Sequence, residues 1–163
     1  MILGMSLSTF TTVHVIISLV GIASGLVVVG AMLANRPLGT MNLVFLVTTI
    51  ATSVTGFFFP FKTFGPPHIL GVLSLIVLAA ALWALYGARL AGAARWIYIV
   101  SAVVALYFNV FVGVVQAFGK IAPLHALAPT GGGPVFGGAQ AAVLLLFIVL
   151  GYRAVRSFRP ARA

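Results

Sequence analysis

Three histidines are the natural metal or proton ligands of this 163-residue chain: His14, His68 and His125. His14 opens the stretch HVIISLVGIASG and His68 opens HILGVLSL, while His125 lies in GKIAPLHALAPTGGGPVFGG. A b-type haem takes two imidazoles from facing helices at similar depth, within an apolar cavity. His14 and His68 offer such an axial pair. Gly21, Gly71 and Ser74 would make room, Asn109 and Gln116 would stand behind the pair, and Lys62 or Lys120 would meet the propionates. A second chemistry uses all three imidazoles, His14, His68 and His125, as a copper or zinc site, with Met1 and Met5 assisting Cu(I).

The absences are as informative. There is no Asp, Glu or Cys. That excludes disulfides, thiolate nucleophiles, Fe–S clusters and Cys-bound zinc. It also excludes paired-carboxylate hydrolysis, Ser-His-Asp triads and carboxylate proton relays. Serines are abundant, but no acid orients a histidine beside one. The TGGGP run at Thr130 has no GK[ST] continuation and reads as a turn, not a phosphate loop.

The elements that must position the histidines follow from composition. The chain is 63% hydrophobic and only 6% charged, against about 25% charged in a soluble domain. A mean hydropathy of +1.26 exceeds what one folded core can absorb, so the expected solvent is lipid. Five apolar runs predict an all-α membrane bundle with five transmembrane helices: about 9–34, 41–59, 68–89, 96–118 and 136–152. The first four reach the roughly 20 residues that a bilayer core requires; the fifth has about 17 and could instead be re-entrant. Residues 1–152 form one bundle domain, and 153–163 form a basic cytoplasmic tail. The opening residues lack the basic start of a cleavable signal peptide, so the first run is expected to remain as a helix.

With five spans, Arg36, Arg89, Arg95, Arg153, Arg156, Arg159 and Arg162 share one side, and Lys62 and Lys120 the other. The positive-inside rule places the arginines in the cytoplasm and the N-terminus outside, in the cell inner (plasma) membrane. The net charge of +9 is explained by topology, and no nucleic-acid partner is implied. Trp96, Tyr86 and Tyr152 would lie at the arginine side, and Phe57, Phe58, Phe59, Phe61 and Phe64 at the other. All three histidines fall on the outer side.

Spacing then assigns faces. His14, Ser18, Gly21 and Gly25 follow a four-three-four step and share one helix face. Gly21 and Gly25 form a GxxxG that admits a close helix, so self-association or contact with other membrane subunits is expected there. Ala102, Ala105, Asn109, Val112 and Gln116 share a face of the fourth run, and amides in hydrocarbon normally face the bundle. The Thr and Ser residues of the second run are expected to bond their own backbone or to help packing. The plainer reading of His14 is a hydrogen bond across helices.

The two histidine-led stretches, HVIISLVGIASG and HILGVLSL, resemble small uncharacterised bacterial multi-span inner-membrane proteins. More distantly they resemble haem-binding helical-bundle membrane cytochromes. The resemblance implies that His14 and His68 are functional residues; the cofactor stays open, with haem b the candidate of the cytochrome reading. The chain lacks the second histidine pair of the di-haem pattern. The expected function is a non-enzymatic accessory or scaffold subunit with an outer-face polar His site. The alternatives are haem-based electron transfer and a His-based copper or zinc site.

Overall fold

A computed structural model describes residues 1–60, 63–129 and 131–160. Phe61, Lys62, Thr130 and Arg162, which figure in the expectations above, lie outside the described residues. The helices are α1 (Leu7–Leu33), α2 (Gly39–Gly56), α3 (Pro66–Leu82), α4 (Ala93–Lys120), α5 (Ala122–Leu127) and α6 (Gly133–Ser157). A π-helical turn, Trp83–Gly87, continues α3. No strand occurs among the described residues. Five helices are long and apolar enough to cross a membrane: α1, α2, α3 with its π turn, α4 and α6.

The start and stop signals are local. Ser6 caps α1 by accepting from the Thr9 N–H at 3.1 Å. The end of α1 is a Schellman motif: the Asn35 N–H donates to Met32 O at 3.2 Å and the Arg36 N–H to Ala31 O at 2.8 Å. Asn35 takes the left-handed conformation this requires, with φ 51°, which Asn tolerates better than most residues. Pro66 and Pro67 open α3, and Pro134 opens α6, at positions whose N–H would be unbonded anyway.

The fifth run is longer than its apolar stretch suggested. Helix α6 has 25 residues, Gly133–Ser157, and so reaches spanning length. The helix does not stop where charge begins, because YRAVRS contains good helix formers. Arg153 and Arg156 therefore belong to the helix. The loop before α6 also differs from expectation: Ala122–Leu127 form the short helix α5, which carries His125.

Helices α1, α2, α3 and α4 form a ring in which each packs on the next and α4 packs back on α1. Helices α1 and α3 occupy opposite corners. Helix α6 packs outside the ring, against α4 and α1. The starts of α1, α3 and α6 and the end of α2 and α4 make one end of the bundle, the histidine end. The opposite end carries Arg36, Arg89, Arg95, Arg153, Arg156 and Arg159 and is the arginine end. The apolar core is densest toward the arginine end, where Val28, Met32, Phe45, Leu78, Tyr98 and Ile99 are buried together.

Candidate functional site at the histidine end

Helix α1 presents a half-buried imidazole toward α2. His14 Nδ1 and Thr55 Oγ1 are 2.8 Å apart. The Phe59 ring stands edge-on to the imidazole, with centroids 5.1 Å apart, and also contacts Phe10 at 5.0 Å. Thr55 Oγ1 in turn donates to Ala51 O at 2.6 Å. Its proton thus goes to the backbone, and its lone pair is left to accept from a His14 N–H. The imidazole is held in one orientation by a second helix and a ring.

His68 is placed by a different device. It occupies the third position of α3, after Gly65, Pro66 and Pro67, and its Nδ1 accepts from the Gly65 N–H at 3.1 Å. This is the task a Glu or Gln performs at the same position of a capping box. A chain without Glu meets it with an imidazole. The ring stacks on Phe64, with centroids 5.1 Å apart, and lies 6.0 Å from Phe57. His125, in α5, is exposed.

Among the described residues, no three His, Cys, Asp or Glu side chains gather into a group that could hold a metal ion. His14, His68 and His125 share an end of the bundle but do not form such a triad. The room expected beside the histidines is also filled by the chain itself. A Cβ on Gly71 would lie 3.0 Å from the Phe57 ring. Ser74 shares a buried 2.9 Å hydrogen bond with Ser53 across the α2–α3 contact. A Cβ on Gly21 would lie 3.2 to 3.3 Å from Thr48, Thr49 and Asn109. In this structure Gly21, Gly71 and Ser74 thus stand against Phe57 and side chains of α2 and α4.

The two amides part company. Asn109 is buried and donates from Nδ2 to Thr49 Oγ1 at 3.3 Å. Gln116 is exposed, as is Val112 on the same face. The shared face leaves the bundle beyond Asn109, so Gln116 does not stand behind the histidines as expected. A polar group near a helix end can reach the wet interface, and the requirement to face inward lapses there.

The GxxxG glycines are interior. A Cβ on Gly25 would come within 2.6 Å of Leu106 Cδ1 and 2.9 Å of the Phe45 ring. Both glycines admit α2 and α4 of the same chain. The face proposed for self-association is thus occupied within the bundle.

On helix α2 the Thr and Ser residues bond their own backbone as expected, Thr48 to Val44 O, Ser53 to Thr49 O and Thr55 to Ala51 O, and the helix is in addition a polar seam. It reaches α4 through Asn42, whose Oδ1 accepts from the Tyr98 hydroxyl, and through Thr49 to Asn109. It reaches α3 through Ser53 and α1 through Thr55. The available signal was the clustering of hydroxyls on a helix flanked by apolar neighbours.

Compared with known proteins, the chain matches no family model, no curated protein and no solved structure. Its role is accordingly read from its own residues.

Proposed function

We propose that this chain is a small multi-pass protein of the cell inner (plasma) membrane that serves as a non-enzymatic accessory or scaffold subunit. Its N-terminus lies outside and its C-terminus in the cytoplasm. The observation that carries the role is the use made of the interior polar groups. His14, Asn42, Thr49, Ser53, Ser74 and Asn109 are engaged in joining one helix to another. A site built for turnover aims its ligating or proton-moving atoms at an opening. Here the same atoms act as interhelical hydrogen bonders, which suits a rigid structural element. The outer-face His site is then a set of fixed polar groups at one end, available to a partner through exposed His125.

The orientation is supported by charge. Among the described residues six arginines lie at one end, and Lys120 lies at the other. A cytoplasm-dependent reporter fused after Ala163 is expected to be active; an inactive one refutes the orientation.

The role is tested by extracting the tagged chain in a mild detergent and resolving it on a native gel. Migration with other membrane subunits is the expected result, and a lone monomer at native expression level refutes the reading. An absorption spectrum of the same sample decides the haem alternative. A Soret band abolished in both His14→Ala and His68→Ala would replace the scaffold reading with electron transfer.

A further inference from the structure

The arginine end holds a cavity of about 410 Å³ between the α1–α2 turn and the segment that follows α6. Arg36 enters from the first and Arg159 from the second, and Leu38, Leu90 and Phe158 supply apolar walls. We propose that this cavity binds the phosphodiester headgroup of an anionic phospholipid, with Arg36 and Arg159 as its cationic clamp. The inference rests on the membrane-spanning reading but not on the accessory role.

Three observations support it. The first is charge. The chain has no Asp or Glu side chain, so neither guanidinium can find a carboxylate side chain within the protein. Two like charges brought to one cavity repel unless an anion joins them. Arginine is the side chain best suited to grip phosphate through paired N–H donors.

The second is construction. The segment after α6 is docked from two sides. Arg95 Nη1 donates to Val155 O at 2.9 Å and to Phe158 O at 2.7 Å. Asn35 Oδ1 accepts from the Arg159 N–H at 2.7 Å. Phe158 is buried at 2% exposure, which anchors the residue beside Arg159. Asn35 itself is fixed by the Schellman motif. Both arginines are thus carried on backbone whose course is set by specific bonds.

The third is the mixture of walls. A free phosphate ion has no use for Leu38, Leu90 and Phe158. A phospholipid does, because its glycerol and first methylenes continue from the phosphate into apolar surroundings. The exposed Trp83, Tyr86 and Trp96 lie at the same end, which fits the headgroup level where such rings concentrate. A cytoplasmic leaflet rich in anionic lipid would supply the ligand.

The test uses the full chain in nanodiscs of phosphatidylcholine with graded phosphatidylglycerol. Bound phosphatidylglycerol is read by native mass spectrometry. The double variant Arg36→Gln/Arg159→Gln is compared with Arg89→Gln/Arg153→Gln, which removes the same charge from the same end outside the cavity. The cavity variant is expected to weaken retention about fivefold per arginine, or roughly twenty-five-fold for the pair. The control variant should stay within about twofold of the parent. Equal losses in the two variants would overturn the proposal, leaving the arginines as topology determinants only. Equal retention of phosphatidylcholine and phosphatidylglycerol would also overturn it. Inorganic phosphate at millimolar concentration should fail to displace the lipid, and displacement would reassign the cavity to a free anion. Unchanged thermal unfolding in pure phosphatidylcholine confirms that the variants are folded.

Discussion

The two ends of the bundle hold their polar groups in opposite ways. At the histidine end several polar side chains turn inward and bond across helices, His14 to Thr55, Ser53 to Ser74 and Asn109 to Thr49, while Gln116 and His125 stay exposed. At the arginine end the core is mostly apolar, with the buried Tyr98–Asn42 pair set in it, and five of the six described arginines have no protein acceptor from another helix. Arg95 is the exception, donating to two carbonyls at the end of α6. Neutral polar groups can satisfy one another inside lipid at modest cost, so they can hold a bundle together. Charges without counterions cannot, and are left for water, headgroups or a partner. One end uses most of its inward polar groups to join helices, and the other presents most of its charges outward.

The largest effect is expected where the two halves join. Gly25 lies between the polar half and the apolar core, with Leu106 and Phe45 pressed against the position of a Cβ. Gly25→Val should cost about 3 kcal/mol by overpacking, read as a lower midpoint of SDS or thermal unfolding in detergent. Gly30→Val on the same helix has nothing within 4 Å of its Cβ and should leave the midpoint nearly unchanged. Equal behaviour of the two variants would mean that α1, α2 and α4 do not approach as closely as described.

Next comes Arg95. Replacing it by Gln removes two charge-assisted bonds to carbonyls at the C-terminus of α6, worth about 2 kcal/mol. The loss should be local. Hydrogen exchange is expected to quicken over 155–159 and to stay constant at the start of α1. Uniform acceleration would show that the two ends are not separate in stability.

How much of this could be read from residues alone depends on the kind of signal. The five helices were legible because a bilayer demands long apolar runs, and those runs dominate the composition. The inward face of Gly21 and Gly25 was legible from spacing, but its occupant was not. GxxxG says that something approaches closely; it does not say whether that is a second copy or the chain's own α2 and α4. The end of α6 was missed for a related reason, since hydropathy marks where the apolar run ends and the helix continues past it. Gln116 failed because periodicity assigns a face without saying how far along the helix the neighbours extend. The link from Asn35 to Arg159 joins residues distant in sequence, and no local pattern encodes such a contact.

A smaller effect probes the histidine end. A double-mutant cycle on His14→Phe and Thr55→Ala should return a coupling of about 0.6 kcal/mol, typical of a hydrogen bond between membrane helices. A coupling near zero would remove His14 from the set of interhelical bonders and return it to the candidates for chemistry.

The smallest effect separates position from chemistry at His68. Its Nδ1 accepts from the Gly65 N–H, the bond that a Gln at the third helical position also makes. His68→Gln should therefore unfold at nearly the parent midpoint, while His68→Ala should lose about 0.5 kcal/mol as the N-terminus of α3 loosens. A measure of function belongs beside the midpoint, namely migration with partner subunits on a native gel. If Gln preserves both, His68 acts as a cap, and the imidazole stands there because the chain employs no acid that could serve. If Gln preserves the midpoint but abolishes assembly, the ring is recognised as a ring, and the histidine end presents a group outward as the arginine end does.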